Sequence, residues 1–174
     1  VAERVELVKP TADWQNEYME FYLEWKRSGE QMVPWVISKD PSDFQGMLRS
    51  LQDNEKGDNL PEHWVPDSTY WLVTESQKIV GAVNIRHRLT DKLLQSGGHI
   101  GYGIRPSERR KGYATKLLSL ALNKAKDLGI QKVLVVCDAW NIGSEKTILY
   151  NGGIEDSSYT EEDGNIIKRF WIEV

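Results

Sequence analysis

The chain has 174 residues, 40% of them hydrophobic and 28% charged, the balance of a folded domain and not of a disordered segment. A net charge of −4 argues against general nucleic-acid binding, which needs a basic face. The longest apolar run, Val133 to Cys137, is far too short for a membrane span, and the single cysteine excludes an internal disulfide or a cysteine-rich zinc site.

In chain order, Val5 to Val8 reads as a short strand ending before Pro10. Asp13 to Lys26 carries Trp14, Tyr18, Phe21, Tyr22 and Trp25 at three- and four-residue spacing, an amphipathic helix. Ser42 or Asp43 is placed to cap a second helix with Phe44, Met47, Leu48 and Leu51 as its apolar stripe, and residues 54–67, with Gly57, Pro61 and Pro66, read as a loop. Thr69 to Thr74 and Ile79 to Arg88 then read as strands joined by a turn near Ser76 and Gln77. His99 to Arg105 is a third strand stopped by Pro106. Lys111 to Leu128 is a helix with Ala114, Leu117, Leu118, Ala121, Ala125 and Leu128 on its apolar face and Gly129 closing it. A buried strand at Lys132 to Cys137, a short helix at Ser144 to Tyr150 and a closing hairpin turning at Asp163-Gly164 complete a mixed α/β domain around a central sheet. Cys137, inside an apolar strand, reads as a small buried hydrophobe and not as a nucleophile.

Charge is unevenly placed. Residues 1–67 hold 7 Lys+Arg against 14 Asp+Glu, whereas Tyr102 to Lys126 holds 7 against 1. An acidic first third beside a basic patch would suit a cationic substrate meeting an anionic cofactor, although uneven surface solubility explains it as well. No amino-terminal stretch has the layout of a signal peptide, so a cytoplasmic location is expected.

Chemistry concentrates where the third strand passes into the long helix. A helix start leaves backbone N–H groups unpaired at the positive end of the dipole, a ready anion site. Gly112 and Ala114 keep that turn bare, and Arg109, Arg110 and Lys111 add charge suited to a pyrophosphate. No Walker loop or dinucleotide-binding glycine fingerprint is present. In isolation such a run is also compatible with a basic, solvated helix start.

Arg109-x-x-Gly112-x-Ala114, after a strand stopped by Pro106 and before a leucine-rich helix, resembles the acetyl-CoA motif of the GNAT acetyltransferase superfamily. Asn141-x-x-Ser144, followed by Gly152-Gly153, resembles that family's second motif at the expected spacing. The resemblance implies a GNAT-like mixed central sheet with a splayed strand pair and helices on both faces. It implies a single domain over 1–174, with 1–67 on the acceptor side and 68–174 as the acetyl-CoA-binding core. Tyr102 and Ile104 would offer main-chain contacts to the pantetheine arm of acetyl-CoA, the acyl donor. Arg109, Arg110, Lys111, Gly112, Tyr113, Ala114 and Thr115 would wrap its pyrophosphate, and Asn141 would hydrogen-bond the arm. The Ile104 amide would donate to the thioester oxygen.

The implied reaction is direct transfer of an acetyl group to a primary amine of a small molecule or peptide. It needs a proton acceptor, and His99 is the nearest titratable side chain to the usual place, with Glu75 a second choice. A histidine on a central strand is also often core. The tyrosine that protonates the departing thiolate in many relatives falls here at Ile148, and Tyr150 should face elsewhere. Ser144, one turn earlier on the face of Ile148, could supply a hydroxyl or could cap the helix. The acceptor pocket would draw on Trp25, Met32, Pro34, Trp35, His63, Trp64 and Pro66. His63, His87 and His99 lack ligand spacing, so no metal is expected. A nucleic-acid or membrane partner is not expected, and a sheet edge left uncovered would allow a homodimer. The missing tyrosine also keeps a non-catalytic acyl-CoA sensor or regulatory module in view. A nucleotide-phosphate-binding domain of another class rests on the basic helix start alone.

Overall fold

A computed structural model describes residues 2–174. One seven-stranded sheet runs through it in the order β1-β2-β3-β4-β5-β7-β6. The strands are β1 (Val5–Val8), β2 (Asp67–Thr74), β3 (Ile79–Arg86), β4 (Ile100–Ile104), β5 (Lys132–Asp138), β6 (Ile154–Thr160) and β7 (Ile166–Glu173). Every neighbouring pair is antiparallel except β4 and β5, which are parallel.

Helices cover both faces. On one, α1 (Gln15–Ser28) and α2 (Phe44–Lys56) bury Tyr18, Phe21, Tyr22, Trp25, Phe44, Met47 and Leu48 against Trp71, Val73, Ile79 and Ala82. Tyr18 stacks on Trp71 with ring centroids 4.2 Å apart. On the other, α3 (Tyr113–Asp127) and α4 (Ile142–Tyr150) pack on Tyr70, Leu72, Val83, Ile85, Val133, Val135 and Phe170. Alternate residues of β2 therefore serve opposite cores, and both β2 and β3 are buried along nearly their whole length. Full burial of each such side chain contributes about 1.5–3 kcal/mol, which makes these two strands the stable floor on which the loops are set.

Helix ends follow local chemistry. The Asp43 carboxylate accepts from the Gly46 N–H at 3.0 Å and caps α2, as expected for one of the two candidates. Several boundaries differ from the sequence reading by one or two residues, and two differences change the packing. The expected loop at 54–67 shrinks because α2 continues to Lys56, and β2 already begins at Asp67. On α3, Leu128 lies outside the helix and is exposed, and Tyr113 and Leu122 join the buried face instead. A single π-type turn at Leu93–Gly97, ahead of β4, carried no periodic signal. Among the described residues no helix is long and apolar enough to cross a membrane.

Candidate active site

β4 is bonded to β3 through its odd-numbered residues: Arg105 N–H donates to the Val80 carbonyl at 2.8 Å, and Arg86 N–H to the His99 carbonyl at 2.7 Å. Alternation then turns the main-chain groups of Ile100, Tyr102 and Ile104 toward β5. Yet β5 is in register with β4 only at Ile100↔Val135. Beyond that point the two strands part, and Tyr102 and Ile104 present their main chain to a wedge-shaped opening. The Ile104 carbonyl takes a hydrogen bond from Arg109 Nε at 3.1 Å.

The turn after β4 is fastened from three sides. Glu24 of α1 accepts from Arg105 Nε (2.7 Å), Ser107 N–H (3.0 Å) and Ser107 Oγ (2.8 Å). Burial pushes the Glu24 carboxyl up, but these bonds and the Arg105 charge outweigh it and hold the group below its ordinary value. Glu108, itself buried, bridges Lys78 and Lys111 at 2.7 Å each. The Tyr113 hydroxyl accepts from Glu3 N–H at 3.0 Å. Glu24→Ala is expected to cost about 2–4 kcal/mol of stability, because it leaves the nearly buried Arg105 uncompensated. For Glu24→Gln the sign is set by the lowered carboxyl. Its contribution is complete above the ordinary carboxylate range and lost as pH falls through the folded-state value. Denaturant melts from pH 7 to pH 3 should show the gap to wild type closing at the acid end.

These contacts revise the roles expected of the basic run. Arg109 lies over Trp25, its guanidinium 5.6 Å from the ring, and donates to both Glu30 oxygens at 2.9 Å, so its charge is already matched. Lys111 is committed to Glu108. Arg110, at φ 62°, and Gly112, at φ 84°, both adopt left-handed backbone. A Cβ on Gly112 would meet nothing within 4 Å, so in the protein by itself φ and not space requires glycine there. α3 starts at Tyr113 with no side-chain cap, leaving the first-turn N–H groups of Tyr113, Ala114 and Thr115 to an outside acceptor.

At the narrow end of the wedge, two hydroxyls meet. Tyr102 Oη and Ser144 Oγ are 2.8 Å apart, joining β4 to the start of α4. Burial pushes the Tyr102 hydroxyl up to about 12, so it stays protonated at any ordinary pH. The cap of α4 is Asn141, whose Oδ1 accepts from Ser144 N–H at 3.1 Å. That overturns Ser144 as the cap and frees its side chain for Tyr102. Ile148 is fully buried and offers no hydroxyl, and Tyr150 is exposed to solvent as expected. Cys137 is buried, and burial pushes its thiol up to about 11, which suits a hydrophobe.

His99 does not sit as a neutral-pH base. It is buried, and its Nδ1 accepts from Leu134 N–H at 2.9 Å while its main-chain N–H donates to the Leu134 carbonyl at 2.7 Å. The ring thus staples β4 to β5 just where the wedge begins. Burial, helped by the Arg86 charge, pushes it down to about 4, leaving it neutral and weakly basic. Glu75 is an exposed turn residue 3.7 Å from Arg4, at the opposite end of β2 from His99.

On the α1–α2 face the wedge is floored by Gly101 and Gly103. The Val33 carbonyl and Trp25 lie directly over Gly103, and Pro34 over Gly101. Trp25 is core, donating its indole N–H to the Gln31 carbonyl at 3.2 Å, and is no pocket wall. Trp35 and Trp64 meet edge to face at 5.7 Å and stay exposed. His63 is an exposed residue near Glu62. Asp67, Asn84 and Arg86 complete this floor. Asn84 Nδ2 donates to Asp67 Oδ1 at 2.7 Å and to Thr69 Oγ1 at 3.1 Å, and burial raises the Asp67 carboxyl. Sequence reasoning passed over these three. The available signal was polar residues at alternate positions of an otherwise apolar strand pair.

Comparison with protein-family models matches residues 4–153 to the acetyltransferase (GNAT) domain. The chain belongs to the GNAT family. These are acetyl-CoA-dependent acetyltransferases. Among solved structures, the GNAT chain is similar to a ribosomal L7/L12 alpha-N-protein acetyltransferase in complex with coenzyme A. The TM-score is 0.70 at 13% identity, covering 100% of this chain and 96% of that one. It is also similar to the microcin C7 self-immunity acetyltransferase in complex with acetyl-CoA and AMP (TM-score 0.68, 16% identity, 99% and 94% covered). A spermidine N-acetyltransferase chimera including Vibrio cholerae sequence gives a TM-score of 0.65 at 14% identity, covering 97% and 94%. At these identities the shared feature is the fold. A search of curated protein sequences gave no match.

Acetyl-CoA fits what this GNAT chain presents. A flexible amide-bearing arm can lie along the main chain of Tyr102 and Ile104, where β5 has turned away, and phosphates can accept from the uncapped first turn of α3.

Proposed function

We propose that the chain transfers the acetyl group of acetyl-CoA to a primary amine by direct attack within a ternary complex. The observation that carries this reading is the wedge itself: an unpaired β4 edge leads from the Tyr102–Ser144 hydroxyl pair to an uncapped helix start. Tyr102 and Ile104 bind the arm through the main chain. The turn from Arg109 to Thr115 receives the pyrophosphate through backbone N–H groups, with Arg110 as its uncommitted charge; Arg109 and Lys111 shape the turn instead. Asn141 sets the start of α4 and so the position of Ser144. The Ile104 amide points at the wedge and suits a thioester oxygen on which charge develops. Ser144 donates the proton that the departing thiolate takes up, backed by Tyr102, and regains through water the proton that the attacking amine releases. His99 positions β4 and does not take the proton of the amine. Residues 1–67 supply most of the acceptor side, over a floor from β3 and β4, and the remainder supplies the donor side of one domain.

Thiol release from acetyl-CoA across amino acids, polyamines, aminoglycosides and peptide amino termini tests transfer. Calorimetric titration with acetyl-CoA tests binding separately. Gly112→Trp is expected to abolish binding, and Gly112→Ala to weaken it while costing about 1–2 kcal/mol of stability from the left-handed backbone. Unchanged affinity in both variants would remove the phosphate-binding assignment. The buried Ile148 favours a second reading, a sensor that binds acyl-CoA without turnover. Tight binding with no thiol release from any amine would select it.

A further inference from the structure

We infer that the acceptor carries an anionic group, carboxylate or phosphate, within a few bonds of its amine, and that Arg86 holds that group. The inference rests on the acetyltransferase reading above and names the substrate class of that site. Arg86 lies at the end of β3, on the α1–α2 face, beside the point where β4 and β5 part. Both of its terminal nitrogens are 3.8 Å from where a Cβ on Gly101 would stand, so the bare glycine leaves that point to be shared by the guanidinium and Pro34, whose Cβ is 3.4 Å away. Gly101 precedes Tyr102, whose main chain faces the wedge while its hydroxyl lies on the opposite, α4 face of the sheet. A group held by Arg86 is therefore close to an amine placed at that main chain.

The charge is not spent inside the protein. Nη1 donates to the Gly97 and Gly98 carbonyls at 3.1 and 3.3 Å. Among the described residues no carboxylate oxygen lies within 4 Å of the guanidinium, whereas eight other Lys and Arg side chains have such a partner and Lys124 and Lys132 lie over aromatic rings. Among the described residues Nε and Nη2 make no hydrogen bond and no buried side-chain polar atom lacks a partner, so these two nitrogens are not fully buried. The nearest acid, Asp67, is engaged by Asn84 and feels Arg86, His87 and Lys39 together. A planar guanidinium with three N–H groups free on two nitrogens is matched by an oxyanion and repels a polyammonium chain.

This reverses what the acidic first third suggested. Three of its fourteen carboxylates are paired with Lys or Arg, Glu24 with Arg105, Glu30 with Arg109 and Glu55 with Lys9, and Glu3 accepts from Ser76. The local cation at the reacting end outweighs a surface surplus that solvent and salt screen. Compact amino acids and aminoalkyl phosphates fit; spermidine and a peptide amino terminus, with no anion near the amine, do not.

The test is acceptor binding to the chain saturated with coenzyme A, read by calorimetry and so independent of turnover. The probes are the free amino acids, their carboxamides, aminoalkyl phosphates and spermidine, with wild type, Arg86→Lys and Arg86→Gln compared and thermal melts run alongside. At least one amino acid or aminoalkyl phosphate should bind ten-fold or more tightly than its uncharged counterpart. Arg86→Gln should erase that ratio and Arg86→Lys retain part of it. The carboxylate and phosphate arms identify which oxyanion is used. Equal binding of charged and uncharged partners, tightest binding of spermidine, no binding by any probe, or a ratio that survives in Arg86→Gln would overturn the inference. If Arg86→Gln fails to fold, the wild-type ratio alone decides. Loss of the acetyltransferase reading shows differently, as absence of thiol release or of acetyl-CoA binding.

Discussion

Ser144→Ala is expected to lower kcat for acetyl transfer by about 10²–10³ at pH 7, the range of a positioned general acid. Acetyl-CoA affinity should stay unchanged. The argument is geometric: Ser144 is not needed as a helix cap, since Asn141 fills that place, and its hydroxyl is held at 2.8 Å from Tyr102 Oη at the narrow end of the wedge. Tyr102→Phe removes the partner but not the donor, so its loss should be smaller, about ten-fold. The double variant should be no slower than Ser144→Ala alone, because both changes break one unit. A free thiol titrates near 8.5. The deficit of Ser144→Ala should therefore shrink above about pH 9, where the leaving thiolate needs no proton. Tyr102, pushed up to about 12, does not itself shape the profile in this range. Equal deficits at pH 7 and pH 9.5, or additive losses in the double variant, would assign the pair a structural role.

How far the sequence could be read depends on the range of the interaction involved. The stripes on α1, α2 and α3, the Asp43 cap and the turn at Asp163-Gly164 are set within a few residues, and their patterns were visible. The two GNAT motifs are local in the same sense, and through them the wedge between β4 and β5 was expected before it was seen. Side-chain partners are not local. Arg109 looked like a phosphate ligand because nothing nearby revealed Glu30, 79 positions earlier, or the Trp25 ring beneath it. Glu24 meets Ser107 across 83 positions, and Glu3 meets Tyr113 across 110. His99 was chosen on the free-imidazole value of about 6.5. Burial between Leu134 and Arg86 takes it to about 4, a property of the folded neighbourhood alone. Arg86 was missed for the complementary reason: its importance lies in having no carboxylate partner, and a sequence does not show which charges stay unmatched.

Gly103→Ala is expected to cost about 3 kcal/mol or more, the upper range for overpacking, while Gly101→Ala should stay within about 1 kcal/mol of wild type. The two glycines are alternate residues on one face of β4, and neither has left-handed backbone, so propensity does not separate them. Their ceilings do. A methyl on Gly103 would overlap the Val33 carbonyl oxygen and stand 2.7 Å from Trp25 Cη2, one of them backbone and the other the rigid edge of a fully buried ring. A methyl on Gly101 would meet Pro34 Cβ at 3.4 Å and the Arg86 nitrogens at 3.8 Å, ordinary contact. Relief at Gly103 requires the segment from Glu30 to Trp35 to lift, which also pulls Glu30 from Arg109 and loosens the turn that leads into α3. Gly103→Ala should therefore weaken acetyl-CoA binding as well as stability, and speed hydrogen exchange in residues 30–35. Gly101→Ala should spare the donor and narrow the acceptor floor beside Arg86, reducing acceptor affinity at nearly constant melting temperature. Denaturant melts and the two titrations check both halves. A stable Gly103→Ala with unchanged exchange would mean that the α1–α2 segment does not rest on β4.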